Sequence, residues 1–266
     1  MPKQNPGSPQ SVFGKISAIF DQFTLEKPVL TLAEITNGTN ISKPTVFRLL
    51  QELTELGYVS QEGKTYRLGL ASFRLGMIAK NQMRLSDFLD DLLGPVAQAT
   101  AETVITATLD RDEIFYLHVI ESLNPLRFVA GAGTKRPIPF GATGMALLSL
   151  LERETQQAIL RPPFTPFTDK TIVELDHYLA RLEQVRSEAV VIESGEYYEG
   201  IMAVAVPVSV PDAAPLTFTV VGPEDRVLPI SDLIVDQLQK AAAAFYEARG
   251  SLTELLPKWV SPHSTL

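Results

Sequence analysis

Apolar residues at positions 46, 49, 50, 53 and 56 recur at three- and four-residue spacing, so Val46, Leu49, Leu50, Leu53 and Leu56 share one side of a helix. Pro44, Arg48 and Gln51 fall opposite them, and Lys43 and Thr45 stand at the N-terminal end. Ser42 is positioned to cap the first-turn amides, and Pro44 is tolerated there because its missing N–H would have no partner. Gly57 can take the left-handed conformation that stops the helix. Upstream, the Thr31–Glu34 pair reads as a capping box opening a short helix that ends near Asn37-Gly38. Before that, Val12, Ile16, Ile19, Phe20 and Phe23 mark another amphipathic helix. Downstream, residues 58–61 and 65–68 read as two short strands around a glycine turn, Glu62-Gly63-Lys64. Three helices followed by a hairpin are the order of a winged helix-turn-helix.

Beyond the hairpin, residues 70–83 read as a linker helix. Its apolar positions, Leu70, Phe73 and Ile78 among them, are more than one chain would cover, which predicts a dimer contact. The next helix, around Leu85, Phe88, Leu89 and Leu92, meets Gly94-Pro95, where a kink or break is expected. From there strands and helices alternate. Residues 104–109 and 114–120 predict an antiparallel hairpin across the charged turn Asp110-Arg111-Asp112. Further strands are expected at 126–130, 190–193, 202–208 and 216–221, and helices at 142–151, 152–160, 171–187 and 231–249. Hairpins with flanking helices predict an α+β domain, one antiparallel sheet covered by helices.

These patterns divide the chain into an N-terminal segment (1–10) expected to be disordered, a winged helix-turn-helix head (11–69), a linker helix (70–83), a sensing body (84–256) and a tail (257–266). Charge is divided too. The chain carries a net charge of −8, but residues 1–80 hold nine Lys and Arg against six Asp and Glu, a net of +3, and the rest holds 14 against 25, a net of −11. A mildly basic head on an acidic body suits a protein that touches nucleic-acid phosphates with one small domain and senses something else with the other. A recognition helix needs short polar or cationic side chains at its exposed N-terminal end. The candidates for DNA contact are therefore Ser42, Lys43, Thr45, Arg48 and Gln51, with Lys64 and Arg67 placing cations on or near the wing tip.

The absence of cysteine excludes a disulfide framework, thiol catalysis and thiolate metal sites. No apolar run approaches the ~20 residues of a membrane span, and the N-terminus lacks a signal-peptide core, so a cytoplasmic protein without membrane contact is expected.

At this point the chain resembles the IclR family of bacterial transcriptional regulators. The head carries the likeness in Leu32-Ala33-Glu34, in Thr45-Val46-Phe47-Arg48-Leu49-Leu50, in Leu56-Gly57-Tyr58-Val59 and in Tyr66-Arg67-Leu68-Gly69. The body carries it from Pro137 through Gly141-Ala142-Thr143-Gly144 to Leu148, from Gly200 to Val208, and in Val220-Val221-Gly222-Pro223. Two departures stand out in the head. The turn before the recognition helix looks about three residues longer than the family's usual one. Phe47 stands where the family more often has tyrosine or histidine, so a polar contact is lost there. In the body, Met145 replaces a common lysine.

The resemblance implies a GAF-like effector domain. It places effector contacts at Phe128 and Arg136, at Ala142 and Thr143, at Glu193, and on the inner face of two late strands at Ala203, Thr219 and Val221. Free amides at Ala142, Thr143 and Gly144, with the helix dipole, favour a carboxylate or phosphate, and Arg136 can add a bidentate contact. A small organic acid with an apolar part packed on Phe128 is the expected effector. The alternative for Arg136 is a solvated pair with Lys135. The expected partners are double-stranded operator DNA, the organic acid and a second copy of the chain, as a homodimer or a tetramer. No cofactor or metal is expected.

Enzyme readings are weaker. Gly131-Ala132-Gly133-Thr134 and Gly141-Ala142-Thr143-Gly144 lack P-loop or dinucleotide spacing. His118, His177 and His263 are far apart and show no ligand pattern, and His118 on an apolar strand reads as a hydrogen-bonded core residue. Ser122, Ser149 and Ser194 lack a nucleophile elbow. Glu193, Glu196 and Glu199 would be the acid/base groups of a hydrolase or isomerase, the second function class considered. A protein-interaction adaptor using the winged head is the third.

Overall fold

In the computed structural model, residues 11–82, 85–110, 112–138, 141–209 and 215–248 are described. The expectations for residues 1–10, for the tail at 257–266, and for Arg111 and His263 lie outside them. The chain divides into two compact units, residues 1–82 and 83–266.

In the first unit, α1 (Val12–Phe20), α2 (Leu32–Gly38) and α3 (Lys43–Glu55) pack around Ile19, Ile35, Val46, Leu49 and Leu50. The capping box forms as expected: Glu34 N–H reaches Thr31 Oγ1, while Glu34 Oε2 accepts from Thr31 N–H at 2.8 Å. Gly57 closes α3 with φ of +76°. The hairpin is β2 (Val59–Glu62) against β3 (Thr65–Leu68), and β3 also pairs with an unexpected short strand, β1 (Val29–Thr31). Then α4 spans Leu70–Gln82. Its start is tied to the turn after α3: Gly69 N–H donates to Tyr58 O at 2.7 Å, and Ala71 N–H to Gly57 O at 3.0 Å. A Cβ on Gly69 would stand 2.2 Å from Gly57 O, so that crossing admits only glycine.

Two expectations for α3 need correction. Ser42 is the N-cap residue, but its side chain makes no capping bond, because its Oγ is 2.9 Å from Thr45 Oγ1 instead. Leu56 is 66 % exposed: α3 ends at Glu55, and the chain turns before Leu56 can join the buried stripe.

The second unit opens with α5 (Leu85–Thr100), which continues through Gly94-Pro95 as one helix and does not break there. Its stripe Leu85, Leu89, Leu93 and Val96 is buried. A six-stranded antiparallel sheet follows in the order β6-β5-β4-β9-β8-β7. The strands are β4 (Thr103–Asp110), β5 (Glu113–Ile120), β6 (Lys135–Pro137), β7 (Val191–Ser194), β8 (Ile201–Val208) and β9 (Leu216–Pro223). Helices α6 (Gly141–Ser149), α7 (Arg153–Ile159), α8 (Leu175–Glu188), α9 (Glu224–Val227) and α10 (Ser231–Glu247) complete it. Helix α8 starts four residues later than expected, at Leu175, and Thr171 lies in the preceding loop, where its Oγ1 accepts from Phe167 and Thr168 N–H and donates to Glu196 O.

Period-two alternation sorts the two faces. Met202, Val204, Val206, Leu216, Phe218 and Val220 pack with α5 and α10, filling one core with bulky groups. Ala203, Ala205, Thr219 and Val221 point the other way, toward α6 and α8. Small residues on that second face leave room.

The expected strand at 126–130 is a loop. Its carbonyls are taken by side chains: Thr103 Oγ1 donates to Phe128 O at 2.8 Å, and Arg226 Nη2 to Leu126 O at 2.9 Å. Arg226 also pairs with buried Glu102, whose carboxylate lies where a Cβ on Gly222 would clash at 2.4 Å. No helix among the described residues is long and apolar enough to cross a membrane.

Candidate effector cavity and DNA-reading helix

Between the small-residue face of the sheet and the start of α6 lies a cavity of ≈ 60 Å³, room for roughly four to six waters or a small ligand. All six strands supply walls: Arg136 and Pro137 from β6, Ile114 and Tyr116 from β5, Ile105 from β4, Thr219 and Val221 from β9, Ile201 and Ala203 from β8, and Glu193 from β7. The opposite wall is the first turn of α6, Gly141 to Thr143. Helix α6 is buried from Ala142 to Ser149, as an apolar sequence with small residues at its start permits. Strand pairing sets Ala203 opposite Val221, and Thr219 opposite both Ala205 and Ile105.

Eight of the nine residues expected at the effector site therefore meet around one cavity: Phe128, Arg136, Ala142, Thr143, Glu193, Ala203, Thr219 and Val221. Gly144 does not. It is buried in α6 two residues beyond Ala142, about 200° further round the helix, and so faces away. Residues 139 and 140, immediately before α6, lie outside the described residues.

The tyrosines of the cavity were not anticipated. Tyr197 and Tyr198 sit in the loop between β7 and β8 and join an aromatic chain, with Tyr197–Tyr198 ring centroids at 4.6 Å and Phe128–Tyr198 at 6.2 Å. The available signal was an adjacent aromatic pair bracketed by Gly195 and Gly200, too much apolar area for a solvated turn. Tyr116 carried no such signal, since an aromatic on a strand reads as core.

The loop holding these rings is pinned from both sides. Glu193 Oε1 accepts from Glu196 N–H. Thr168 Oγ1 donates to Gly195 O at 2.6 Å, and Thr171 Oγ1 to Glu196 O at 2.7 Å. Glu193 is 5 % exposed. Burial pushes its carboxyl up to about 7, against the opposing pull of the Glu196 N–H. Burial likewise pushes Tyr116 up to about 12, with the Arg136 guanidinium acting against it, and raises Tyr197 and Glu196. Arg136 and Lys135 separate as strand neighbours must. Lys135 pairs with Asp110 at 2.7 Å and Glu113 at 3.2 Å, while Arg136 lines the cavity. They are not a solvated pair.

His118 is buried, with Nε2 at 3.1 Å from Asp90 Oδ1, a hydrogen-bonded core residue. No group of three or more His, Cys, Asp or Glu able to hold a metal ion occurs among the described residues.

On the first unit, Lys43, Arg48 and Gln51 are exposed along the outward side of α3, with Thr45 half-buried behind Ser42. Glu52 and Glu55 are exposed too, so cationic character is confined to the N-terminal half, where the helix dipole adds to it. Lys64 is exposed in the β2–β3 turn. Arg67, the other cation expected near the wing tip, is exposed on β3 and ion-paired with the exposed Glu62.

A winged helix-turn-helix unit with a basic recognition-helix start, and a second unit built around a ligand-sized cavity, define a ligand-binding transcriptional regulator. The chain belongs to the IclR family: residues 14–63 match the IclR helix-turn-helix domain, and residues 79–245 match the C-terminal domain of the bacterial transcriptional regulator IclR. It is 33 % identical over 200 residues to the HTH-type transcriptional regulator KdgR of Escherichia coli K12, covering 74 % of each chain. Its fold is that of an IclR transcriptional regulator from Silicibacter sp. TM1040, with TM-score 0.78 and 25 % identity over 89 % of this chain and 96 % of that one. An IclR homologue from Microbacterium hydrocarbonoxydans, solved with 4-hydroxybenzoate, shares the fold at TM-score 0.73 and 18 % identity, covering 91 % of this chain and all of the other.

Proposed function

We propose that this regulator binds a paired operator as a homodimer, or as a tetramer made of two such pairs, through the N-terminal half of α3. It acts in the cytoplasm and senses a small organic acid in the cavity of the second unit. The observation carrying the effector class is the meeting of the Arg136 guanidinium and the first turn of α6 in a cavity whose other walls are mostly apolar and aromatic, with Glu193 and Thr219 as further polar groups. A cation and helix-start amides favour a carboxylate, while Phe128, Ile105, Ile114 and the tyrosines accept an apolar remainder. The 4-hydroxybenzoate held by the Microbacterium protein has that composition, an acid group on an apolar ring.

Pairing rests on α4, where Leu70 and Phe73 are 79 % and 65 % exposed and Leu75, Met77 and Ile78 are exposed as well. Two heads held by such a contact meet two half-sites. The effector acts by linkage: an acid that prefers one arrangement of the paired chains shifts operator affinity by as much as that preference allows. Binding rather than turnover is the reading favoured by Glu193, the one carboxyl lining the cavity among the described residues, because its Oε1 accepts from the Glu196 N–H of its own loop.

The test is binding of the full-length protein to the DNA beside its own gene at two salt concentrations, with and without a panel of small organic acids. Salt-sensitive, sequence-preferring binding that an acid alters is the expected result. Binding without sequence preference, or chemical conversion of an acid by the protein, would overturn the proposal.

A further inference from the structure

Four residues on the outward side of α3, Pro44, Phe47, Arg48 and Gln51, follow the spacing i, i+3, i+4, i+7, so their side chains form one contiguous patch. All four are exposed, and Phe47 is 43 % exposed. A lone exposed aromatic elsewhere on the surface would need no explanation. Phe47 differs by position, because it stands next to Arg48 and one turn before Gln51, the two side chains best suited to hydrogen-bonding base edges, on the half of the helix that carries the positive charge. Its neighbours Val46, Leu49 and Leu50 fill the core without it.

In the major groove an apolar side chain has one distinguishing partner, the C5-methyl group of thymine, while Arg suits guanine O6 and N7 and Gln suits adenine N6 and N7. A phenyl ring offers no hydrogen bond, so its face is desolvated without loss when it meets a methyl and gains nothing from the polar edge of another base. Pro44, one turn before it, extends the apolar surface and has no N–H to leave unpaired.

Resting on the operator-binding reading above, we propose that Phe47, with Pro44 beside it, reads a thymine in each operator half-site through its C5-methyl group. Arg48 and Gln51 contact the flanking base pairs. The aromatic ring thus determines sequence specificity by apolar contact, beside side chains that read hydrogen-bonding edges.

The experiment uses the full-length protein and a duplex that it selects from a random-sequence library. Each thymine of the selected site is replaced singly by deoxyuridine, which removes the methyl group alone. At one thymine per half-site the replacement is expected to weaken wild-type binding about fourfold, the effect of burying a single carbon. Phe47→Ala binds the thymine and deoxyuridine duplexes equally, whereas Arg48→Ala binds both more weakly and keeps the difference. Phe47→Gln serves as a second variant that retains a good helix former on an exposed face. If every single replacement leaves wild-type affinity unchanged while binding stays sequence-preferring and salt-sensitive, methyl reading is overturned and operator binding stands. If the Phe47 variants keep the discrimination, its assignment to Phe47 is overturned. If no sequence is selected, both readings fall.

Discussion

The hydroxyls of Thr143 and Thr219 lie 3.1 Å apart, both buried, joining the first turn of α6 to the central strand β9 across the wall of the cavity. Two residues 76 positions apart in sequence thus fix the distance between helix and sheet on which the cavity depends. Replacing Thr143 by Val keeps the volume but deprives the Thr219 hydroxyl of this partner, and an unsatisfied buried hydroxyl costs about 1–3 kcal/mol. We expect Thr143→Val to lower stability in denaturant unfolding by about that much and to weaken binding of the effector acid. The double variant with Thr219→Val should recover most of the stability, since removing both partners leaves neither unpaired. Additive losses in the double-mutant cycle would show that the two hydroxyls do not depend on each other.

Arg136→Ala tests the acid-binding role directly. Calorimetric titration with whichever organic acid alters operator binding is expected to show at least a tenfold loss of affinity, in line with ~1.5–3 kcal/mol for a hydrogen bond to a charged group. The first unit's own affinity for DNA should be unchanged in the absence of acid. Equal affinity of the variant and the parent for every acid that binds would remove the arginine from the site.

Two of the cationic contacts proposed for the head, Arg48 and Lys64, should separate by their signatures. Arg48→Ala is expected to cost about 1–3 kcal/mol at the base pair it reads and to relax preference there. Lys64→Ala, at the exposed wing turn, should weaken binding evenly across sequences and reduce the salt slope by about one counterion. Operator titrations at several salt concentrations distinguish the two. Wild-type operator binding by Arg48→Ala would displace α3 as the recognition helix.

Glu193 gives a pH dependence with a definite sign. Its carboxyl is held up to about 7 in the folded chain against an ordinary value of 4.5. The folded state therefore binds more protons than the unfolded chain between those limits, and stability falls as pH rises through that window. The contribution is complete below about pH 4.5 and lost above about pH 7, on the order of a few kcal/mol for a shift of this size. Glu196 is raised by burial too and adds a slope of the same sign. Glu193→Gln, which cannot ionise, should flatten the fall in unfolding free energy between pH 5 and 7. An unchanged slope would place the proton uptake elsewhere.

Much of this architecture follows from local pattern. The capping box at Thr31 and Glu34, the stripe of α3 up to Leu53, the stop at Gly57 and the β2–β3 hairpin each depend on residues within one or two turns of each other. Period and capping chemistry therefore specify them without reference to the rest of the chain. The sheet strands were legible for the same reason, because β8 alternates bulky and small residues along its own length. Three-residue strands such as β1 and β6 are too short to show a period, and they exist only because a longer neighbour supplies their hydrogen bonds. Likewise, the apolar run at 126–130 looks like a strand until Thr103 and Arg226 claim its carbonyls from distant positions.

The cavity divides along the same line. The sequence, through motif likeness, marked residues from separate segments as effector contacts, and it dictated the small side chains at Ala203 and Thr219 that leave space on one face of the sheet. It did not reveal that Tyr116, Tyr197 and Tyr198 close the same space, that Gly144 turns away, or that Lys135 pairs with Asp110 and Glu113 while Arg136 lines the cavity. Those outcomes depend on which strands lie side by side and on how α6 sits across them. Distances between segments far apart in the chain are set by packing the whole domain, so only the tertiary structure decided them.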